Sequence, residues 1–136
     1  KGRMQLLSQK PIIIVDGAHN VHGVKALMST LEKIFPNRKV KFMVSILRDK
    51  DYKQMLSLLC PKAEQFYVAQ NQSERAASVE EQVAVIEKYN IPYKTAYTVT
   101  EAYALAVKEC KPNDILIVCG SLFTVGEVLE FQKDNA

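Results

Sequence analysis

The stretch PIIIVDGAHNVHG, residues 11–23, decides how this sequence folds. Its unbroken apolar run, residues 12–15, is typical of a short strand buried on both faces of a sheet. The run ends in polar side chains, among them Asp16, His19 and Asn20, before a helical pattern begins. A simple connection needs only a turn, so the carboxylate, the imidazole and the amide require a second explanation.

The same change from apolar strand to amphipathic helix repeats along the chain. The predicted strands are residues 12–15, 40–46, 65–69, 93–97 and 115–119, and the predicted helices are residues 22–35, 52–60, 79–89, 98 or 100 to 110, and 123–133. Such alternation indicates a mainly parallel sheet that is covered by helices on both faces. We therefore predict one α/β domain with a three-layer α/β/α, Rossmann-like architecture, which suits a chain of 136 residues.

Two of the predicted turns follow strands that are apolar throughout, namely residues 16–20 and the break at residues 120–121. Ligands of open parallel sheets bind beyond the carboxyl ends of the strands, and strands buried on both faces tend to be central. We therefore expect the two turns to lie side by side at a binding edge. Asp16 could accept hydrogen bonds from ribose hydroxyls, and His19 could contact a carboxylate or an amine. The amides at the start of the next helix could face an anion.

Each turn also has a purely structural explanation. Asp16 can bond nearby backbone amides, Gly17 supplies backbone freedom, and Asn20 can cap the helix that follows. Ser121 can likewise cap the last helix. Only His19 is left without a structural reason, and the pattern alone does not choose between the two explanations.

Charge, hydropathy and cysteine usage argue against several classes of protein. The net charge is +3 and the basic residues are scattered, so we expect no nucleic-acid partner. No apolar run approaches the ~20 residues that cross a bilayer, so we expect no membrane segment. The 3 cysteines, Cys60, Cys110 and Cys119, lack metal-binding spacing, and we predict reduced thiols in a cytoplasmic protein.

The sequence lacks the usual motifs for holding a metal or a triphosphate. His19 and His22 have no third ligand nearby, so we predict no metal site in this chain. The sequence also contains neither a GxxxxGK[ST] phosphate loop nor a GxGxxG fingerprint. If the chain handles a nucleotide, it needs help from another domain.

Four stretches of the sequence carry a resemblance to one family: GRMQ (residues 2–5), PIIIVDGAHNVHG, LRDKDYKQML (residues 47–56) and DILIVCGSLFTVGEV (residues 114–128). They resemble the C-terminal domain of folylpolyglutamate synthase and of the bifunctional dihydrofolate synthase/folylpolyglutamate synthase, a family related to the Mur ligases. The resemblance runs from Gly2 to about Val128. One departure is Phe123, where the family usually has tyrosine, so that a hydroxyl is lost while the ring is kept.

The resemblance implies an ATP-dependent amide ligase that adds L-glutamate to folates. In this family ATP phosphorylates the terminal carboxylate of the folate, and the amine of glutamate attacks the resulting acyl phosphate. Carried over to this sequence, Arg3 would contact the phosphates of ATP and Asp16 its ribose. His19 and Ser121 would place the incoming glutamate. His19 is also the candidate catalytic residue, as the general base for the amine.

The resemblance also implies that the chain is one part of a longer enzyme. Residues 1–10 would be the remnant of an interdomain linker and residues 11–136 the C-terminal domain. The phosphate loop, the Mg²⁺ ligands and most of the folate pocket would belong to an N-terminal ATPase domain, which is the expected partner. We expect the enzyme to be a monomer and this part alone to be folded and inactive.

Two other interpretations stay open. One is a Mur-type ligase that adds an amino acid to a cell-wall precursor, although DGAHN followed by GSL-x-x-VGEV favours folate. The other is a stand-alone binding module of flavodoxin-like shape. A coding sequence that continues upstream into a phosphate loop would exclude this second alternative.

Overall fold

Strands and helices alternate in the computed structural model of the protein, which describes residues 3–135. The strands are β1 (Gln5–Gln9), β2 (Ile12–Val15), β3 (Val40–Val44), β4 (Ala63–Val68), β5 (Tyr93–Thr95) and β6 (Ile115–Cys119). The helices are α1 (Val21–Ile34), α2 (Tyr52–Leu59), α3 (Val79–Glu87), α4 (Val99–Glu109) and α5 (Leu122–Asp134), and a short 3₁₀ helix (Cys60–Lys62) follows α2. The predicted elements after residue 11 are all present, with ends that shift by at most two residues.

The strands form one 6-stranded sheet in the order β1-β2-β6-β3-β4-β5. All neighbouring pairs are parallel except β1 and β2, which are antiparallel. Alternate side chains of the central strands enter two separate hydrophobic clusters, as the period of a strand requires. Helices α1, α2 and α3 pack on one face of the sheet, and α4 and α5 pack on the other. The predicted three-layer α/β/α architecture is therefore confirmed.

Strand β1 is the element that the sequence pattern missed. The segment reads QLLSQ and is mostly exposed or half-buried, so it lacks the apolar run that marks the central strands. It is an edge strand held by backbone pairing with β2, from Gln5 opposite Val15 to Gln9 opposite Ile12. Half of the region predicted as linker, residues 1–10, thus contributes to the sheet. That it also joins two domains stays a prediction, and Lys1 and Gly2 lie outside the described residues.

The helices begin at the polar residues that the sequence indicated. Asn20 accepts a hydrogen bond from the Gly23 amide at the start of α1. Asp51 caps α2, and Thr98 caps α4. At the start of α3, Ser78 and Glu81 form a complete capping box, and Ser121 caps α5. Each cap satisfies an amide that has no partner within its own helix.

The sheet order creates a crevice between the ends of β2 and β6. These strands are neighbours, but the chain leaves β2 into α1 on one face and leaves β6 into α5 on the other face. Such a topological switch point is where open α/β sheets bind ligands. The turns after the two strands meet there, because the Gly120 amide donates to the Ala18 carbonyl oxygen at 3.1 Å. The predicted juxtaposition of the two turns is confirmed.

Candidate functional site

The carboxylate of Asp16 lies inside the turn that follows β2. Asp16 is only 3% exposed, and its amide donates to the carbonyl oxygen of Val118 at 2.9 Å. One carboxylate oxygen accepts from the Ala18 amide at 2.9 Å, and the other accepts from the Met4 amide at 3.0 Å. Both oxygens therefore bond backbone amides, as the structural explanation of the turn predicted. The ribose contact stays a prediction.

His19 is half-buried at the mouth of the same turn. Its Nδ1 lies 2.9 Å from the carbonyl oxygen of Gly17. Because a carbonyl oxygen only accepts, this bond assigns the ring proton to Nδ1 and leaves Nε2 as an acceptor in the neutral ring. The turn thus fixes both the orientation and the tautomer of His19, which a general base requires.

His19 and Arg3 line one small cavity at the start of α1. The cavity has a volume of about 200 Å³ and is bounded by residues 17–20, by Arg3, and by His22, Gly23 and Ala26. Arg3, His19 and His22 are its basic side chains, and no carboxylate lines it. A cavity with this lining suits an anionic group, since the Arg3 guanidinium donates hydrogen bonds to carboxylates and phosphates and no carboxylate of the lining repels them.

His22 is the cavity residue to which the sequence pattern assigned no role. It is exposed, as expected for the first turn of a helix. Its three-residue spacing from His19 fits a metal pair, for which a third nearby ligand is lacking in the sequence. The sequence contains the three basic residues Arg3, His19 and His22, but only the tertiary structure shows that they line one cavity.

Ser121 does not share this cavity. It is 0% exposed, and its hydroxyl oxygen accepts from the Phe123 amide at 3.0 Å as the cap of α5. The residue before it, Gly120, has φ +117, a backbone conformation that residues with a side chain rarely adopt. The structure brings Arg3, Asp16 and His19 together around one turn and places Ser121 in the neighbouring one. A glutamate contact by Ser121 stays a prediction.

A wider groove lies along the start of α5. It has a volume of about 670 Å³ and is lined by Gln72, Leu122, Phe123, Gly126, Glu127 and Glu130. Leu122 and Phe123 are 57% and 49% exposed, so the ring at the position where the family usually has tyrosine lies at the surface. The backbone amide of Gln72 donates to the Glu127 carboxylate at 2.9 Å, and this bond connects the loop after β4 to α5 at the groove.

Buried polar side chains hold that loop in place from below. The backbone amide of Asn71 donates to the Ser45 hydroxyl at 2.8 Å, and the Thr124 hydroxyl donates to the Ser45 carbonyl oxygen at 2.7 Å. Asn71 also contacts Thr124 directly, at 3.3 Å. Within residues 3–135, no buried side-chain nitrogen or oxygen lacks a partner. The loops at this edge therefore have a well-defined shape, as a binding site requires.

The charged stretch after β3 has a structural role. Arg48 forms an ion pair with Glu81 at 3.0 Å, and Arg75 forms one with Asp49 at 3.4 Å. Hydrogen bonds from Arg48 and from the Ser78 amide lower the pKa of the Glu81 carboxyl to about 2. These contacts join two loops, so the stretch needs no ligand to explain it.

The cysteines and acidic residues supply neither a reactive thiol nor a metal site. All three cysteines are free, and burial raises the pKa of Cys60 to about 11 and raises that of Cys119 further. These thiols are therefore poor nucleophiles at neutral pH. Across the described range 3–135, no cluster of three or more His, Cys, Asp or Glu side chains could hold a metal ion. The same part of the chain contains no helix that is long and apolar enough to span a membrane.

Comparison with known proteins agrees with this geometry. The family model described as "Mur ligase, glutamate ligase domain" matches residues 2–122. The chain is 30% identical over 129 residues to the dihydrofolate synthase/folylpolyglutamate synthase of Escherichia coli (strain K12), and the match covers 95% of this chain and 30% of that protein. The chain thus spans about a third of the length of the curated relatives that it matches.

Two solved structures show the same fold. One is Escherichia coli FolC in complex with DHPP and ADP, with a TM-score of 0.90 and 29% identity, covering 98% of this chain and 31% of that one. The other is a bifunctional folylpolyglutamate synthase/dihydrofolate synthase with Mn, AMPPNP and L-glutamate bound, with a TM-score of 0.83 and 31% identity, covering 95% of this chain and 30% of that one. On the family match and the shared fold, the chain belongs to the Mur ligase family and forms its glutamate ligase domain.

Proposed function

We propose that this chain is the C-terminal domain of an ATP-dependent amide ligase that adds L-glutamate to folates. The observation that carries the proposal is the cavity at the start of α1, which both Arg3 and His19 line, in a member of the glutamate ligase domain family. The two solved relatives, one with ADP and one with AMPPNP and L-glutamate, support a nucleotide and an amino acid as the ligands.

The reaction joins two groups that do not react unaided. ATP transfers its γ-phosphoryl group to the terminal carboxylate of the folate, which gives an acyl phosphate and ADP. The amine of glutamate then attacks the acyl carbon, the new amide forms, and inorganic phosphate leaves. Positioning and charge neutralisation supply most of the catalysis in phosphoryl transfer, and closure of two domains keeps water from the acyl phosphate.

His19 is suited to the second of these steps. The amine of glutamate is protonated at neutral pH and must lose a proton before it attacks. With Nδ1 bonded to Gly17, the Nε2 of His19 can accept a hydrogen bond from that ammonium and can take its proton. We propose that His19 contacts glutamate through Nε2 and acts as the general base. Ser121 would join it only after a rearrangement that exposes its hydroxyl.

Arg3 is suited to the phosphates of the nucleotide. Its guanidinium is permanently charged and presents a fork of donors that matches phosphate oxygens. It is exposed, and it lies at the cavity in the segment just before β1. We therefore propose that Arg3 reaches phosphate groups that another domain presents across the crevice.

The remaining parts of the site belong to the proposed N-terminal ATPase domain. The described residues offer no set of ligands for Mg²⁺, so no step is assigned to a metal on this domain. ATP, Mg²⁺ and folate would be held mainly by that partner domain, and this part alone would be inactive. A monomeric enzyme in the cytoplasm stays part of the proposal, and the free thiols support only the compartment.

The test is glutamate-dependent ADP release by the full-length protein with a tetrahydrofolate substrate. We expect wild-type turnover and a loss of about 100-fold or more in kcat/KM for glutamate in His19→Ala. Lys25→Ala changes an exposed residue on α1, the helix that follows the His19 turn, and should leave turnover unchanged. Circular dichroism checks that both variants fold. If the wild-type protein uses cell-wall precursors instead of folates, the Mur-type alternative is correct. If it releases ADP with neither, the ligase proposal is wrong.

A further inference from the structure

We propose that His22 is a specificity-determining residue, whose ring donates a hydrogen bond to a carboxylate of the incoming glutamate. This inference rests on the proposed function, because it assumes that glutamate occupies the cavity beside His19. It gives a role to the one basic side chain of that cavity that the proposed reaction does not use. The amino acid would then be held at its amine by His19 and at a carboxylate by His22.

The size of the cavity is the first observation behind this inference. Its volume is about 200 Å³. Pockets that enclose a cofactor or another drug-sized ligand measure about 300–1,000 Å³. The cavity therefore suits a small amino acid rather than a whole nucleotide or folate, and His22 forms part of its wall.

The tautomer of His19 is the second observation. Its Nδ1 bonds the carbonyl oxygen of Gly17, so that Nε2 is an acceptor in the neutral ring. An acceptor suits the ammonium group of glutamate but repels the oxygens of a carboxylate. Glutamate carries one carboxylate on the same carbon as its ammonium and a second one on its side chain. A carboxylate that enters the cavity with the amine therefore needs a donor other than His19.

The side chains that line the cavity supply few donors for that carboxylate. Arg3 is assigned to the nucleotide phosphates, and Asn20 caps α1 by accepting from the Gly23 amide at 2.7 Å. His22 has neither task. A neutral imidazole has one ring N–H and its cation has two, so His22 can donate in either form. A hydrogen bond to a carboxylate is charge-assisted and stronger than one between neutral groups.

The face of α1 that carries His22 is the third observation. Ala26 follows His22 by four residues, so the two side chains lie on one face of the helix, and both line the cavity. Helix side chains lean toward the amino end, so a longer side chain at residue 26 would cover the ring of His22. Gly23, which also lines the cavity, adds no side chain beside it. The ring of His22 is exposed and open to a ligand.

The test is steady-state kinetics of the full-length protein with ATP, a tetrahydrofolate and L-glutamate. We expect His22→Ala to raise KM for glutamate about tenfold, because a hydrogen bond to a charged group is lost. The values of kcat and of KM for ATP should stay within about twofold of wild type, because His22 contacts neither the reacting amine nor the nucleotide. His22→Gln keeps an N–H donor and should recover most of the affinity for glutamate.

Two further variants separate a loss of binding from a loss of folding. Lys25→Ala is the matched control, because Lys25 is also an exposed basic residue of α1 but does not line the cavity. It should keep the wild-type KM. His22→Glu places an acceptor in the cavity and should raise KM for glutamate further than His22→Ala does. The first turn of α1 has no acidic residue, and a carboxylate there suits the helix dipole, so the urea midpoint of His22→Glu should not fall.

Two amides of glutamate identify the carboxylate that His22 contacts. L-Glutamine lacks the side-chain carboxylate and L-isoglutamine lacks the α-carboxylate, and both are measured as competitive inhibitors of glutamate. The amide without the contacted carboxylate should bind the wild-type protein and His22→Ala equally. The other amide should bind His22→Ala about tenfold more weakly. Either assignment supports the inference.

Other outcomes overturn it. If His22→Ala has the wild-type KM for glutamate, or if Lys25→Ala loses as much, His22 does not bind the substrate. If KM for ATP rises instead, the anion beside His22 is a phosphate. If both amides lose as much affinity as glutamate, His22 contacts no carboxylate. In each of these cases wild-type turnover with glutamate leaves the proposed function standing, whereas a wild-type protein that does not use glutamate refutes the proposed function itself.

Discussion

Gly120 is the residue whose replacement should most disturb the binding edge. It joins β6 to Ser121 with φ +117, and its amide bonds the carbonyl oxygen of Ala18 in the neighbouring turn. A Cβ added there would lie 2.8 Å from Cγ1 of Ile46 and 3.0 Å from the carbonyl oxygen of Ser45. The side chain of Ile46 can move away, but the backbone oxygen is held by the Thr124 hydroxyl and can yield much less.

The expected cost of Gly120→Ala follows from these two effects. The positive φ costs an L residue about 1–3 kcal/mol. Inserting a methyl group against a packed backbone costs about 1–3 kcal/mol more. The unfolded chain has less conformational entropy with alanine than with glycine at this position, which offsets about 0.4–1 kcal/mol of the loss. The free energy of unfolding should therefore fall by about 1–5.6 kcal/mol, which is a measurable share of the stability of a domain this size.

Urea unfolding of this 136-residue chain, followed by far-ultraviolet circular dichroism, measures the effect. Gly126→Ala is the matched control, because a Cβ at Gly126 on α5 meets nothing within 4 Å. That variant should gain about 0.5–1 kcal/mol as a glycine replaced within a helix. A loss below about 1 kcal/mol for Gly120→Ala, or an equal loss for Gly126→Ala, would refute the reasoning.

Three further substitutions test individual contacts by the same unfolding assay. The pKa of the Glu81 carboxyl is lowered to about 2, chiefly by its hydrogen bond from Arg48. The ionised carboxylate therefore stabilises the folded protein fully above the pKa of the unfolded state, and this stabilisation is lost as the pH falls through 2. The stability gap between the wild-type protein and Glu81→Gln should therefore close between about pH 5 and pH 2. Tyr67→Phe removes a partly buried 2.7 Å hydrogen bond to Glu109 and should cost about 1 kcal/mol. Asn20→Ala removes the cap of α1 and should cost about 1 kcal/mol.

Each of these substitutions has a control in the chain. Glu130→Gln changes an exposed carboxyl on α5 and should show no such closing gap. Tyr89→Phe removes a hydroxyl from a tyrosine that is 46% exposed, and it should cost almost nothing. Asn20→Asp keeps a capping oxygen and should keep the stability. Two results would contradict the assigned contacts. One is a stability difference between the wild-type protein and Glu81→Gln that widens toward low pH. The other is a control variant that loses as much free energy of unfolding as its test variant.

Local patterns in the sequence determined most of the architecture. The apolar runs of β2 and β6 predict central parallel strands, because both faces of such strands are buried. The polar residues at helix starts predict the caps, because a cap depends only on groups within three residues. The DGAHN turn and the GSL turn predict a ligand edge, because parallel strands present their carboxyl ends together.

Only the tertiary structure decided what depends on contacts between distant parts of the chain. Strand β1 has no apolar run, and it exists because its backbone pairs with β2. The sequence around Asp16 does not show which distant groups its carboxylate contacts, and only the fold brings the Met4 amide, twelve residues away, within 3.0 Å of it. Ser121 and His19 stand in similar turns, yet one is fully buried and the other opens on a cavity. The burial of an individual polar side chain and its long-range hydrogen bonds depend on packing between distant segments, so a local sequence pattern does not predict them.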